Sequence, residues 1–115
     1  MKAMPRVHQG TVIGHAIMCP ACKHAHVFNN ENYKKALPDR ANAATWAFNG
    51  DVEKPTFTPS MLVYTFDPQT GNGKITLCHS FVTDGRIQFL DDCKHSLRGW
   101  HDLPDFPADY GGMTT

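Results

Sequence analysis

The 115 residues contain no apolar run near the roughly 18 that cross a bilayer. The amino terminus, Met1 to Gly14, carries Lys2 and Arg6 but lacks the continuous apolar stretch of about 7 to 15 residues that marks a secretory signal. A cytosolic chain without membrane association is expected. Charge of one sign is also missing: eleven Lys and Arg cancel eleven Asp and Glu. Affinity for phosphate-rich polymers and anionic surfaces rests on a basic excess, so nucleic acid and membrane are excluded as partners. The metalloprotease helix H-E-x-x-H is absent, and no His-x-Glu occurs anywhere, which removes the H-x-E signature of zinc deaminases. Neither repeats nor low-complexity segments are present.

At this length one domain spans residues 1–115. Hydrophobic residues make up 41% and charged residues 19%, a globular composition. A polar carboxy-terminal stretch shortens the ordered core to about 10–107, with a flexible tail at 108–115. A domain of this size removes only about two-thirds of its unfolded surface from water, so a metal would add a large share of stability. Four cysteines and seven histidines supply the donors. In a reducing compartment stable disulfides are rare, so Cys19-Pro20-Ala21-Cys22 reads as a zinc knuckle.

Short, β-branched-rich segments dominate the rest. Thr11 to Met18 reads as a strand entering the knuckle and His26 to Asn29 as its return; a helical turn is expected around Asn32 to Leu37. Trp46 to Phe48 leads into an Asn49-Gly50 turn. Thr56 to Phe66, with Pro55 and Pro59 indicating an edge or a bulge, pairs with Lys74 to Thr83. Asp84-Gly85 then makes a tight hairpin turn. Trp46, Phe48, Phe57, Phe81 and Phe89 are expected in the core, Trp100 as an anchor of the carboxy-terminal segment, and Leu103 to Pro107 extended over the surface. The fold class is mainly β or small α+β: antiparallel hairpins clasped by a zinc knuckle, as in a zinc ribbon.

With Asp84 and Gly85 as the loop, Thr83 faces Arg86, Ser80 faces Phe89, Cys78 faces Asp91 and Thr76 faces Cys93. Cys78 and Cys93 then share a face, and a loosened strand end at Asp92-Cys93 would bring this diagonal pair together on one ion. The preferred zinc set is Cys19, Cys22, Cys78 and Cys93, with His26 or His79 in place of Cys93 as the main alternative. Four protein ligands make zinc a staple, whereas three and a water make it a catalyst. Ser60 offers a nucleophile and His79 a base, provided the strand register cooperates. If Ser60 stands opposite Phe81 it shares the His79 face; a slip by one residue sets it opposite Ser80, on the Cys78 face. Asp91 and Asp92 are either hydrogen-bond partners of a ligating histidine or simply solvated.

The string Cys78-His79-Ser80-Phe81-Val82-Thr83-Asp84-Gly85-Arg86-Ile87-Gln88-Phe89-Leu90, followed by Cys93-Lys94-His95, resembles small proteins of tailed bacteriophages and prophages. Those proteins are sometimes labelled ammonia monooxygenase, although nothing here marks a membrane span or a copper site. Cys19 to Cys22, Asn49-Gly50-Asp51, Pro55 to Ser60 and Leu103-Pro104-Asp105 share the resemblance, which covers most of residues 17–107. More distantly, Cys19, Cys22, His26, Ser60, Cys78 and His79 are similar in order to a peptidase-like component of bacterial ubiquitin-like conjugation operons. That resemblance implies a hydrolase of peptidase or isopeptidase type in the bacterial host cytosol, with Ser60 or a zinc-bound water as nucleophile, His79 as base and His26 or His95 assisting. Cys93 and His95 belong to the phage-type likeness alone. The alternative is a non-catalytic, zinc-stapled phage accessory protein that blocks a host factor. Either way the partner is a host or phage protein.

Overall fold

The computed structural model describes residues 1–107 and the backbone of residues 113–114. Strands β1 (Met4–His8), β2 (Thr11–Met18) and β3 (Ala25–Asn29) precede helix α1 (Glu31–Ala36) and a single 3-10 turn at Pro38–Arg40. Then follow β4 (Ala47–Phe48), β5 (Phe57–Phe66), β6 (Lys74–Thr83), β7 (Arg86–Phe89), β8 (Gly99–Asp102) and β9 (Met113–Thr114). They form two sheets, ordered β3-β2-β1-β9 and β4-β5-β6-β7-β8. All pairings are antiparallel except the parallel contact of β1 with β9. The mainly β class read from the sequence is the class found.

Local chemistry accounts for most elements. Asn30 caps α1 by accepting the Asn32 amide at 2.9 Å, and its side-chain amide donates to the Val12 carbonyl, fastening the helix to β2. Asp84 and Gly85, at φ 51° and 77°, occupy the left-handed region that a two-residue hairpin loop with the strand's own twist requires. Gly14 is needed for a different reason. A β-carbon there would lie 2.5 Å from the Phe28 carbonyl oxygen, so only glycine lets β2 and β3 approach.

The core lies where the two sheets meet. Phe57, 1% exposed, stacks on Phe28 of β3 at 4.2 Å and on Phe48 of β4 at 4.9 Å, while Trp46 meets Phe28 edge-on. Such pairs add about 0.5 to 1.5 kcal/mol beyond the area they bury. Ile17, Cys19, Cys78, Val82, Ile87 and Phe89 extend this core.

Three expectations about the core change. Phe81 is 39% exposed and Trp100 is 43% exposed, because both point to the outer face of the second sheet, opposite Gln88 on β7. Leu103 and Phe106 are instead buried, and the Phe106 amide donates to the Met1 carbonyl, so this segment packs into the core and does not run over the surface. Order also begins earlier than Gly10: β1 pairs with β2, and the Lys2 and Ala3 amides both donate to the Val52 carbonyl. Residues 108–112 and 115 of the expected flexible tail lie outside the described residues.

Candidate active site and metal centre

Strand β6 carries the chemistry on two faces. Side chains alternate along a strand, so Cys78, Ser80 and Val82 point inward and are buried while His79 and Phe81 point outward. Adjacent residues therefore serve two different clusters.

The inner cluster comprises Cys19, Cys22, His26 and Cys78, whose donor atoms all lie within 4.8 Å of one another. Cys19 follows β2 directly and opens the knuckle: the Cys22 amide donates to the Cys19 sulfur at 3.3 Å, and the Lys23 amide donates to the Cys19 carbonyl at 2.9 Å. Lys23, at φ 63°, turns the chain into β3, which delivers His26 opposite Ile17. Cys78 comes from the other sheet.

The thiols compete for charge. Hydrogen bonding from Cys78, aided by His26 and the Cys22 amide, holds Cys19 down to about 3. Burial, reinforced by the Cys19 charge, pushes Cys22 up to about 11. Cys78, as donor to Cys19 and in a buried position, is driven far above the ordinary thiol range. One thiolate is thus tolerated and further ones are not, unless a cation joins them. His26 is 4% exposed and its Nε2 has no hydrogen-bond partner, as expected of a ring nitrogen kept for a metal. Three sulfurs and an imidazole make a complete tetrahedral donor set, so these residues fit a metal ion.

Relative to the all-cysteine set, His26 takes the place given to Cys93. The donors of the set named from the sequence as the alternative stand together here. Cys93 falls in a second group with Cys78 and His95. Its thiol donates to the His79 carbonyl at 3.2 Å and accepts the His79 amide at 3.1 Å, and His95 Nε2 lies 3.4 Å from the Cys78 sulfur. His26 and His95, expected to assist catalysis, thus stand with the sulfurs on the inner face.

The outer face holds the second cluster. Ser60 Oγ is 3.1 Å from His79 Nε2, and His79 Nδ1 is 3.0 Å from Asp92 Oδ2 and 3.2 Å from Oδ1. Two irregularities bring the outer members to the histidine. In β5, Phe57 pairs with Val82 and Met61 with Ser80, so Thr58, Pro59 and Ser60 bulge against Phe81 alone. Leu62 then faces His79, the register that sets Ser60 on the His79 face. Trp46 Nε1 fixes the bulge by donating to the Ser60 carbonyl at 3.2 Å.

Beyond β7 a similar irregularity follows. The Leu90 amide donates to the His79 carbonyl and the Lys94 amide to the Leu77 carbonyl, so residues 91–93 occupy the space opposite Cys78. The extrapolated pairs Cys78 with Asp91 and Thr76 with Cys93 therefore do not form. The bulge turns Asp92 out to His79 and Cys93 in toward Cys78. Asp92 is the site residue that sequence reasoning did not assign to catalysis. Its only signal is an acid close beyond the residue opposite His79.

Serine, histidine and aspartate linked in this order form the arrangement in which a base activates a hydroxyl and an acid orients the base. A protein-family model described as "Bacterial ubiquitination-like system serine protease (BubE)" matches residues 3–90. The chain belongs to this family. The matched span includes Cys19, Cys22, His26, Ser60, Cys78 and His79 and ends before Asp92. The phage-type likeness and the ammonia monooxygenase label have no counterpart in the family match. No curated protein and no solved structure matches the chain. Among the described residues no helix is long and apolar enough to cross a membrane.

Proposed function

We propose that the protein is a serine peptidase or isopeptidase in which Ser60 is the nucleophile, His79 the general base and Asp92 the acid that holds His79. The observation that carries this reading is the unbroken chain of hydrogen bonds from Ser60 Oγ through His79 to Asp92. His79 Nε2 takes the hydroxyl proton as Oγ attacks a carbonyl carbon, then returns it to the departing amine. Water enters by the same route and releases the acyl group from Ser60. Asp92 fixes the tautomer that leaves Nε2 free to accept, and it stabilises the imidazolium.

A zinc ion held by Cys19, Cys22, His26 and Cys78 would supply a cross-link between the sheets, since four protein donors complete its coordination. Cys78 and His79 are neighbours in β6, so that cross-link also anchors the strand presenting the base. A water nucleophile on the metal is disfavoured by the same count of donors and by the inward direction of Cys78. Three free, closely spaced thiols suit a reducing compartment, and we place the protein in the bacterial cytosol.

Among the described residues no cavity adjoins the triad. The site is open on the sheet face, with Leu62 and Phe81 exposed beside His79. An open face suits a polypeptide substrate more than a small molecule, which needs a concave pocket. A fluorophosphonate reagent tests the assignment: it should modify Ser60 alone and leave Ser60→Ala untouched. Equal modification of the alanine variant would refute the nucleophile.

A further inference from the structure

Resting on the triad reading, we infer that Arg98 is a positioning residue that holds Asp92 in register with His79. The loop joining β7 to β8 has little regular pairing of its own, and its carbonyls converge on one side chain. Arg98 Nη2 donates to the Cys93 carbonyl at 2.8 Å and to the Asp91 carbonyl at 3.3 Å. One nitrogen thus bridges the carbonyls of the two residues that flank Asp92. Nη1 donates to the Leu97 carbonyl at 2.9 Å and to the His95 carbonyl. Among the described residues the guanidinium forms no ion pair, so its hydrogen-bonding capacity is directed at the backbone.

The geometry explains why an exposed loop can present an acid accurately. Asp92 is itself half-exposed, and a solvated carboxylate on a free loop would sample many positions. The bracket by Arg98 closes the loop from outside, and the Cys93 thiol on the His79 backbone closes it from inside. A planar fork with five donors can satisfy several carbonyls at once, which a lysine ammonium cannot do in the same plane. Gly99, at φ 72°, turns the chain into β8 directly after the arginine.

The test compares the rate of fluorophosphonate modification of Ser60 in the full chain with Arg98→Ala, Arg98→Lys, Asp92→Ala and the double variant Arg98→Ala/Asp92→Ala. It also follows the far-downfield proton signal of a histidine Nδ1–H bonded to a carboxylate. Arg98→Ala should slow modification at least tenfold and abolish the signal while metal content holds, and it should slow the Asp92→Ala background no further. Arg98→Lys, the milder change should alanine fail to fold, is expected to slow the reaction too. A wild-type rate in either arginine variant overturns the proposal, and so does further slowing of the double variant, because Arg98 would then act elsewhere. If Ser60 of the wild type is not modified, the nucleophile reading fails separately, and the downfield signal still decides whether Arg98 orders Asp92 against His79.

Discussion

His79 lies between a hydroxyl and a carboxylate that a regular ladder would not bring to it, and each partner is separable by substitution. Asp92→Asn keeps the shape but favours the wrong tautomer, so turnover should fall by about 10⁴-fold with the fold intact, measured as peptide or ester hydrolysis against circular dichroism. His79→Ala should abolish turnover and leave the metal content unchanged; loss of metal in that variant would make His79 a ligand instead. The thiols yield a pH-linked expectation as well. The Cys19 thiol is pushed down and those of Cys22 and Cys78 are pushed up, so the cluster favours one thiolate and resists two more. Metal uptake at pH 7 should therefore release a proton from each of Cys22 and Cys78 and none from Cys19, and binding should weaken as pH falls. Calorimetry in buffers of different ionisation enthalpy reads that stoichiometry.

Among the elements, two interruptions of the sheet do what the regular strands cannot. Residues 58–60 bulge toward the outer face with Ser60, and residues 91–93 split their side chains between the faces, with Asp92 outward and Cys93 inward. Bulges re-aim side chains in this way at functional sites. The prolines around Thr56 made the first interruption legible. The second was legible only as a loosened strand end at Asp92-Cys93, because a run of Asp-Asp-Cys after a strand carries no turn signal to say which way each side chain turns. Elsewhere the β2–β3 pair depends on close approach at Gly14, which stands opposite Asn29. Gly14→Ala should force these strands apart and destabilise the protein by about 1 to 3 kcal/mol, the cost of overpacking, in a denaturant titration. The strands so separated lead to Cys19 and carry His26, so the affinity for metal should fall with stability.

For the whole molecule, the candidate metal cluster is the point where side chains of both sheets meet: Cys19, Cys22 and His26 come from the β2–β3 unit, and Cys78 from β6. The stacked aromatics Phe28, Phe48 and Phe57 join the same sheets a short distance away. Structural zinc in small domains contributes apparent binding free energies on the order of 10 kcal/mol, comparable to the whole stability of a domain. A strong chelator should therefore lower the melting temperature sharply and suppress Ser60 reactivity in parallel, both recovering with added zinc. Reactivity that persisted in chelated, unfolding-prone protein would separate the triad from the clasp.

The amino-acid sequence by itself determined the β class, both β5–β6–β7 hairpins, the knuckle at Cys19 and Cys22, and the inner and outer faces of β6. These rest on period-two alternation, turn residues and ligand spacing, all of which act over a few neighbouring positions. It also offered Ser60, beside a zinc-bound water, as a candidate nucleophile and His79 as a candidate base, and it named His26 as a rival for the fourth position of the candidate metal set. Only the tertiary structure decided between the two registers for Ser60, gathered His26 with Cys19, Cys22 and Cys78 and set Cys93 with Cys78 and His95, buried Leu103 and Phe106, exposed Phe81 and Trp100, and brought Asp92 to His79. Each of these depends on contacts between residues distant in the chain, where a single extra residue in a strand reverses which face a side chain occupies.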